Sequence, residues 1–186
     1  LTLLDIRSTM TSVFVYGPHN HLNCVESALT QARARCRANN ARLTALRELV
    51  LELVWQSHKP LGAYQLMDLL RERYEGNVAP PTIYRALEFL QEQGLVHRLA
   101  TLNAYIGCSQ LQQRDHQPSF FICQSCGNAM EANTPRIAQA IREIASLNQF
   151  AAQDFNNGGN AVEVTGICNT CTRQSRAPQQ KDLLGG

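Results

Sequence analysis

No run of uninterrupted apolar residues in this 186-residue chain approaches 18, so the sequence offers no membrane-spanning helix. The opening stretch, LTLLDIRSTMTSVFVYGPHN, has no basic segment feeding a continuous apolar one, so no secretory leader is expected. Residues 1–22 read as a mobile N-terminal extension, in which His19 and His21 could bind metal weakly but are not needed for the main site. The net charge is only +2, too small for binding nucleic acid through bulk field alone. The seven cysteines are an odd number, which argues against a fully paired disulfide framework. What is present, 44% apolar and 17% charged residues, excludes a wholly disordered chain and suits one or two small domains.

The distribution of charge and sulfur is uneven. Residues 24–100 hold ten Lys/Arg against eight acids, whereas residues 101–186 hold six of each. Five arginines fall between positions 33 and 47, and five of the seven cysteines lie beyond residue 107. An arginine-rich half and a cysteine-rich half suggest two domains with two tasks.

The first half patterns as helices followed by a hairpin. Asn23 and Glu26 have capping-box spacing for a helix to about Arg37, which Asn39-Asn40 breaks. Thr44 caps a second helix with Leu46, Leu49, Val50, Leu53 and Val54 at helical spacing. A third helix carries Tyr64, Met67 and Leu70 on one face and ends near Glu75-Gly76. After Pro80-Pro81 a fourth runs from Thr82 to about Gln93, and Gly94 is a natural residue to follow it. Two β-rich runs, Leu95–Leu99 and Asn103–Ile106, complete the pattern of a winged helix-turn-helix.

In the fourth helix Ile83, Ala86, Leu87 and Leu90 share a face, while Tyr84, Arg85 and Glu88 point the other way. On a recognition helix Arg85 reaches guanine edges or a phosphate, and Tyr84 offers a ring to thymine methyls. A solvated helix face accounts for the same pattern. Arg42, between two helices, can reach a minor groove, although arginine runs are most often solvated. Asp68 and Arg71 read as an exposed intrahelical pair.

Cys123-Gln124-Ser125-Cys126 and Cys168-Asn169-Thr170-Cys171 are two CxxC knuckles. Each puts two thiolates on one side of a tight turn, and together they complete a tetrahedral sulfur shell for zinc. The 41 intervening residues exceed the usual zinc-ribbon separation but include a helix from Thr134 to Leu147, with Ile137, Ile141 and Ile144 in phase. Strands at Ser119–Ile122 and Ala161–Thr165 precede the knuckles, and pairing them would bring the knuckles together. Disulfides and redox CxxC pairs compete with the metal reading, without a secretory signal or thioredoxin-like context to favour them. His97, Cys108, His116 and Glu131 form a second candidate set near the junction of the halves. Singly each has a plainer explanation, as a surface imidazole, a small buried residue or a solvated acid. Cys24 and Cys36 are surplus, structural or incidental.

The run Ala79-Pro80-Pro81-Thr82-Ile83-Tyr84-Arg85-Ala86-Leu87-Glu88-Phe89-Leu90, followed by Gly94-Leu95-Val96-His97, resembles the recognition helix and wing of the ferric uptake regulator family. Arg42-Leu43-Thr44 with Arg47, and the two knuckles in Phe121–Gly127 and Gly166–Cys171, extend the resemblance over roughly residues 24–172. The similarity is to the zinc uptake regulator subgroup. It implies an α+β protein, with a winged helix-turn-helix DNA-binding domain at 23–106, a hinge and metal loop at 107–118, and a small α/β dimerisation domain at 119–172. A C-terminal tail, 173–186, follows. It also implies two Zn²⁺ per protomer: a structural ion on Cys123, Cys126, Cys168 and Cys171, and a regulatory one on His97, Cys108, His116 and Glu131. Arg42, Thr82, Tyr84 and Arg85 would contact DNA. The chain departs from the pattern at Ala45, where a proline is usual, and at Asn160, where a histidine is usual, so a third metal site is doubtful.

The expected function is that of a cytoplasmic bacterial zinc-responsive repressor, a homodimer on double-stranded palindromic operator DNA, with no small-molecule substrate and no membrane partner. A thiolate among the junction ligands favours four-coordinate zinc over iron or manganese. The rivals are an iron, manganese or peroxide sensor of the same family, and a small zinc hydrolase. For the hydrolase no convincing nucleophile–base pair is visible.

Overall fold

The computed structural model describes residues 21–57, 59–76, 78–111, 118–133, 135–150 and 161–176. Four helices open the chain: α1 (His21–Ala38), α2 (Ala45–Trp55), α3 (Ala63–Arg71) and α4 (Pro80–Glu92). The wing, β1 (Val96–Leu99) and β2 (Ala104–Gly107), follows. Then come β3 (Pro118–Cys123), β4 (Ala129–Asn133), α5 (Pro135–Leu147), β5 (Val162–Gly166) and α6 (Asn169–Arg176). No helix among the described residues is long and apolar enough to cross a membrane.

The helix ends follow local chemistry. Asn40 (φ 51°) and Gly94 (φ 62°) take the left-handed conformation just beyond α1 and α4. Ala41 N–H then bonds Cys36 C=O at 2.8 Å, and Leu95 N–H bonds Leu90 C=O at 2.8 Å, closing the same motif twice. Thr44 caps α2, accepting from the Arg47 N–H at 3.4 Å, without the family's proline at Ala45. Three expectations need correction. Helix α1 starts at His21, so Asn23 lies inside it rather than at its cap, and its side chain borders a cavity instead. Helix α4 begins at Pro80, with Ala79 as its extended cap. Helix α3 stops at Arg71, and its buried residues are Ala63, Leu66, Met67 and Leu70. That i, i+3, i+4, i+7 stripe leaves Tyr64 one position off the core face and 65% exposed.

The wing has two buried faces. Along β1 and β2, Val96 and Tyr105 point into the helical core with Leu87, Leu90 and Leu53. Their neighbours Leu99 and Ile106 point the other way, into a second cluster with Phe120, Ile122 and Ala129. Alternation along a strand thus ties the wing to the helices on one side and to the β3–β5 sheet on the other. That sheet runs in the order β4-β3-β5, with β3 antiparallel to β4 and parallel to β5.

At the end of β2 a Cβ built on Gly107 would lie 2.4 Å from the Trp55 ring. The chain contains one tryptophan, so its fluorescence reports on the surroundings of Trp55. Gly107→Ala is expected to destabilise the fold by about 1–3 kcal/mol through overpacking, measured by urea unfolding followed at Trp55.

Candidate metal centres and nucleic-acid interface

The first cluster sits where β3 and β5 end side by side. Their parallel register sets Cys123 opposite Gly166, so the two knuckles emerge next to each other. Gly127 (φ 73°) turns the first knuckle back, with its N–H on the Cys123 C=O at 2.9 Å. Helix α6 begins at Asn169, which puts Cys171 in its first turn and Cys168 immediately before it. The four Sγ atoms lie within 4.8 Å of one another, and those of Cys126 and Cys168 are 3.9 Å apart. Tetrahedral zinc with Zn–S bonds of about 2.3 Å requires S–S separations of about 3.8 Å. The residues therefore fit that ion with little movement. Backbone donors prepare the shell: the N–H groups of Cys126 and Cys168 lower the Cys123 pKa to about 6. Loss of solvent pushes that of Cys126 up to about 11.

The second cluster lies between the two cores. His97 comes from β1, Cys108 from just after β2, and Glu131 from β4; their ligand atoms lie within 4.8 Å of one another. All three are buried, Cys108 completely. His97 Nε2 is 3.1 Å from Glu131 Oε1, and the His97 ring tilts against Phe120 at 5.3 Å. Glu131 Oε2 accepts both the Ser109 N–H at 2.6 Å and the Ser109 hydroxyl at 2.8 Å. Ser109 thus fixes the carboxylate so that its other oxygen faces the imidazole, a role the sequence did not suggest. Burial, followed by the neighbouring Glu131 carboxylate, raises the Cys108 pKa far above the usual thiol range. One thiolate, one imidazole and one carboxylate suit a borderline-soft divalent ion. His116, the remaining expected ligand, lies outside the described residues.

A cavity of about 450 Å³ opens beside this cluster, lined by Asn23, Cys24, Gln31, Trp55, Cys108 and Glu131 among others. Cys24 therefore shares a cavity with Cys108, whereas Cys36 is a core residue whose thiol pKa burial raises.

The candidate DNA-facing residues divide between α4 and the loop before α2. Tyr84 (43% exposed) and Arg85 stand on the solvent face of α4, opposite buried Ile83, Ala86, Leu87 and Leu90. Thr82 is half-buried in the first turn of the same helix. Arg42 is exposed before α2, and its carbonyl accepts from Arg47 Nη1 at 2.7 Å. The Arg47 guanidinium also sits over the Phe89 ring of α4, 3.6 Å from its centroid. One side chain thus links the Arg42 loop to the helix that carries Tyr84 and Arg85. Asp68 and Arg71 form the expected i, i+3 pair at 2.8 Å.

A winged helix joined to a small α/β unit, with one four-cysteine cluster and one mixed donor cluster that could each hold a metal ion, matches the architecture of a metalloregulator. The profile of the "Ferric uptake regulator family" matches residues 38–156. The chain is 36% identical to the zinc uptake regulation protein of Escherichia coli (strain K12), over 83% of this chain and 88% of that one. A solved zinc uptake regulator complexed with zinc and DNA superposes with a TM-score of 0.75 at 36% identity, covering 81% of this chain and 97% of that one. The crystal structure of holo XcZur superposes at 0.69 with 34% identity, covering 79% and 98%. The chain belongs to the ferric uptake regulator family.

Because burial raises the Cys108 pKa, metal capture by its thiolate would release a proton, and binding at this cluster is expected to strengthen as pH rises. The expected contribution of Cys108 is up to about tenfold in apparent Zn²⁺ affinity per pH unit between about pH 7 and 8. Chelator competition on the protein and on Cys108→Ser isolates it: the variant is expected to lose that part of the slope.

Proposed function

We propose that the chain is a zinc-dependent transcriptional repressor of zinc-uptake genes that binds palindromic operator DNA as a homodimer in the cytoplasm. One observation carries this reading: a single buried cluster takes donors from the wing, from the segment after it and from the C-terminal sheet. Filling it ties the orientation of the helix-turn-helix to metal occupancy. Each protomer would hold two Zn²⁺. Cys123, Cys126, Cys168 and Cys171 form the structural site. His97, Cys108 and Glu131, joined by His116, form the regulatory one. The zinc- and DNA-bound relative supports this assignment, as does the preference of a thiolate for zinc over iron or manganese.

Residues 23–106 serve as the DNA-binding domain, 107–118 as the hinge and 119–172 as the dimerisation domain. Ile144 and Leu147 on α5 and Val164 on β5 are 61%, 84% and 42% exposed, an apolar surface suited to a second copy of the chain. Dimerisation would present two α4 helices to successive major grooves, with Thr82, Tyr84, Arg85 and Arg42 contacting the duplex. Zinc supplies a cross-link between wing and sheet when bound. His97 brings the wing to it, Ser109 aims Glu131 at it, and Cys108 gives up a proton. By linkage, DNA then raises zinc affinity by the factor by which zinc raises DNA affinity.

The test is binding of a fluorescent duplex, selected from a random pool by the zinc-loaded protein, across buffered free Zn²⁺. Wild type is expected to bind as zinc rises, and Cys108→Ser to lose at least about tenfold of that response. A Cys108→Ser protein with unchanged zinc dependence, or stronger binding with Fe²⁺ or Mn²⁺, sinks the assignment.

A further inference from the structure

Apart from the metal donors, a carboxylate joins the C-terminal sheet to the wing. Glu163 on β5 accepts the backbone N–H of Ala100 at 2.6 Å and that of Thr101 at 3.0 Å. Ala100 and Thr101 follow directly on β1, the strand that carries His97, in the turn that closes the wing. The sheet register explains why Glu163 is available there. Phe120 on β3 pairs with Glu131 on one side and with Glu163 on the other. Directly paired residues project from the same sheet face, so two carboxylates flank a ring that packs against the wing. Glu131 serves the metal-donor cluster. Glu163 lies outside the donor cluster and holds the turn through hydrogen bonds alone.

We propose that Glu163 is a positioning residue, a metal-independent clasp that keeps the wing docked on the sheet and thereby sets the zinc concentration at which the protein engages DNA. The inference rests on the zinc-dependent reading above. Both carboxylate oxygens accept hydrogen bonds, and charge-assisted bonds of this kind are stronger than neutral ones. They form only when wing and sheet are docked; on release, water replaces them. The clasp therefore raises the docked fraction of the metal-free protein. Apparent affinity for a ligand scales with the fraction already competent to bind it. Saturating zinc overrides the difference, so the clasp acts on the midpoint of the response and leaves its plateau intact.

The experiment compares wild type, Glu163→Gln and Glu163→Ala in the fluorescent-duplex titration across buffered Zn²⁺, with amide hydrogen exchange of the wing turn in the metal-free proteins. Glu163→Ala is expected to raise the half-maximal zinc concentration about tenfold, with duplex affinity at saturating zinc within about twofold of wild type. Glu163→Gln keeps one carbonyl acceptor and is expected to fall between; being isosteric, it carries the test if Glu163→Ala unfolds. Exchange at Ala100 and Thr101 is expected to quicken in both variants. An unchanged zinc midpoint in both variants overturns the clasp while leaving the regulator reading intact, as does an equal loss of duplex affinity at every zinc concentration. A wild-type titration that is flat in zinc overturns the regulator reading and the clasp with it.

Discussion

The junction cluster depends on a two-stranded wing that buries apolar side chains on both of its faces. A hairpin of four residues per strand is marginal by itself. Here Val96 and Tyr105 anchor one face in the helical core, and Leu99 and Ile106 anchor the other against Phe120 and Ile122. Because strand side chains alternate, the same geometry that buries Leu99 sends His97 toward the sheet, where Glu131 waits. The ligand cluster is thus a by-product of packing: the polar residue occupies a core-facing position, and burial forces it to find partners. Gly107 and Trp55 tighten this arrangement from the helical side, immediately before Cys108.

The two sulfur-containing centres differ in what their closure costs. The four-cysteine cluster draws its donors from the end of one small sheet, the turns after it and the start of α6, so filling it would leave the winged helix where it was. The mixed cluster draws from both sides of the junction, so metal bound there would be spent partly on fixing orientation. Moving a two-state equilibrium from 1:99 to 99:1 takes about 5.5 kcal/mol of differential binding. Structural zinc shells supply on the order of 10–16 kcal/mol, so even a fraction of such binding is enough. A mixed donor set that bound more weakly than four thiolates would therefore still be adequate for a sensor.

The sequence was most legible where one period or one residue type governs the outcome. The buried stripe of α4, the left-handed Gly94, the Thr44 cap and the pairing of strands beneath the knuckles all follow from local pattern. It misled where two patterns compete. Asn23 and Glu26 have the spacing of a cap, yet α1 continues two residues further toward the N-terminus. Tyr64 is apolar enough for a core face, yet the stronger stripe through Ala63, Leu66, Met67 and Leu70 leaves it exposed. Strand β4, Ala-Met-Glu-Ala-Asn, has almost no β-forming residues and exists because β3 supplies a pairing edge. Three of the four residues expected at the junction, His97, Cys108 and Glu131, lie together. Ser109 and Glu163 act through contacts 22 and 63 residues away in sequence, which no local pattern encodes.

The parallel pairing of β3 with β5 bears on how such proteins are found and how they diverge. Two parallel neighbours cannot be joined by a tight turn; the chain must travel the length of the sheet and return, here through β4 and α5. The 41 residues separating Cys126 from Cys168 are therefore a property of the crossover and place no demand on the metal shell. Insertions and deletions in that excursion can accumulate without disturbing a sulfur–sulfur distance. For a search, the strand before each knuckle is therefore the stronger constraint and the interval between the knuckles the weaker one.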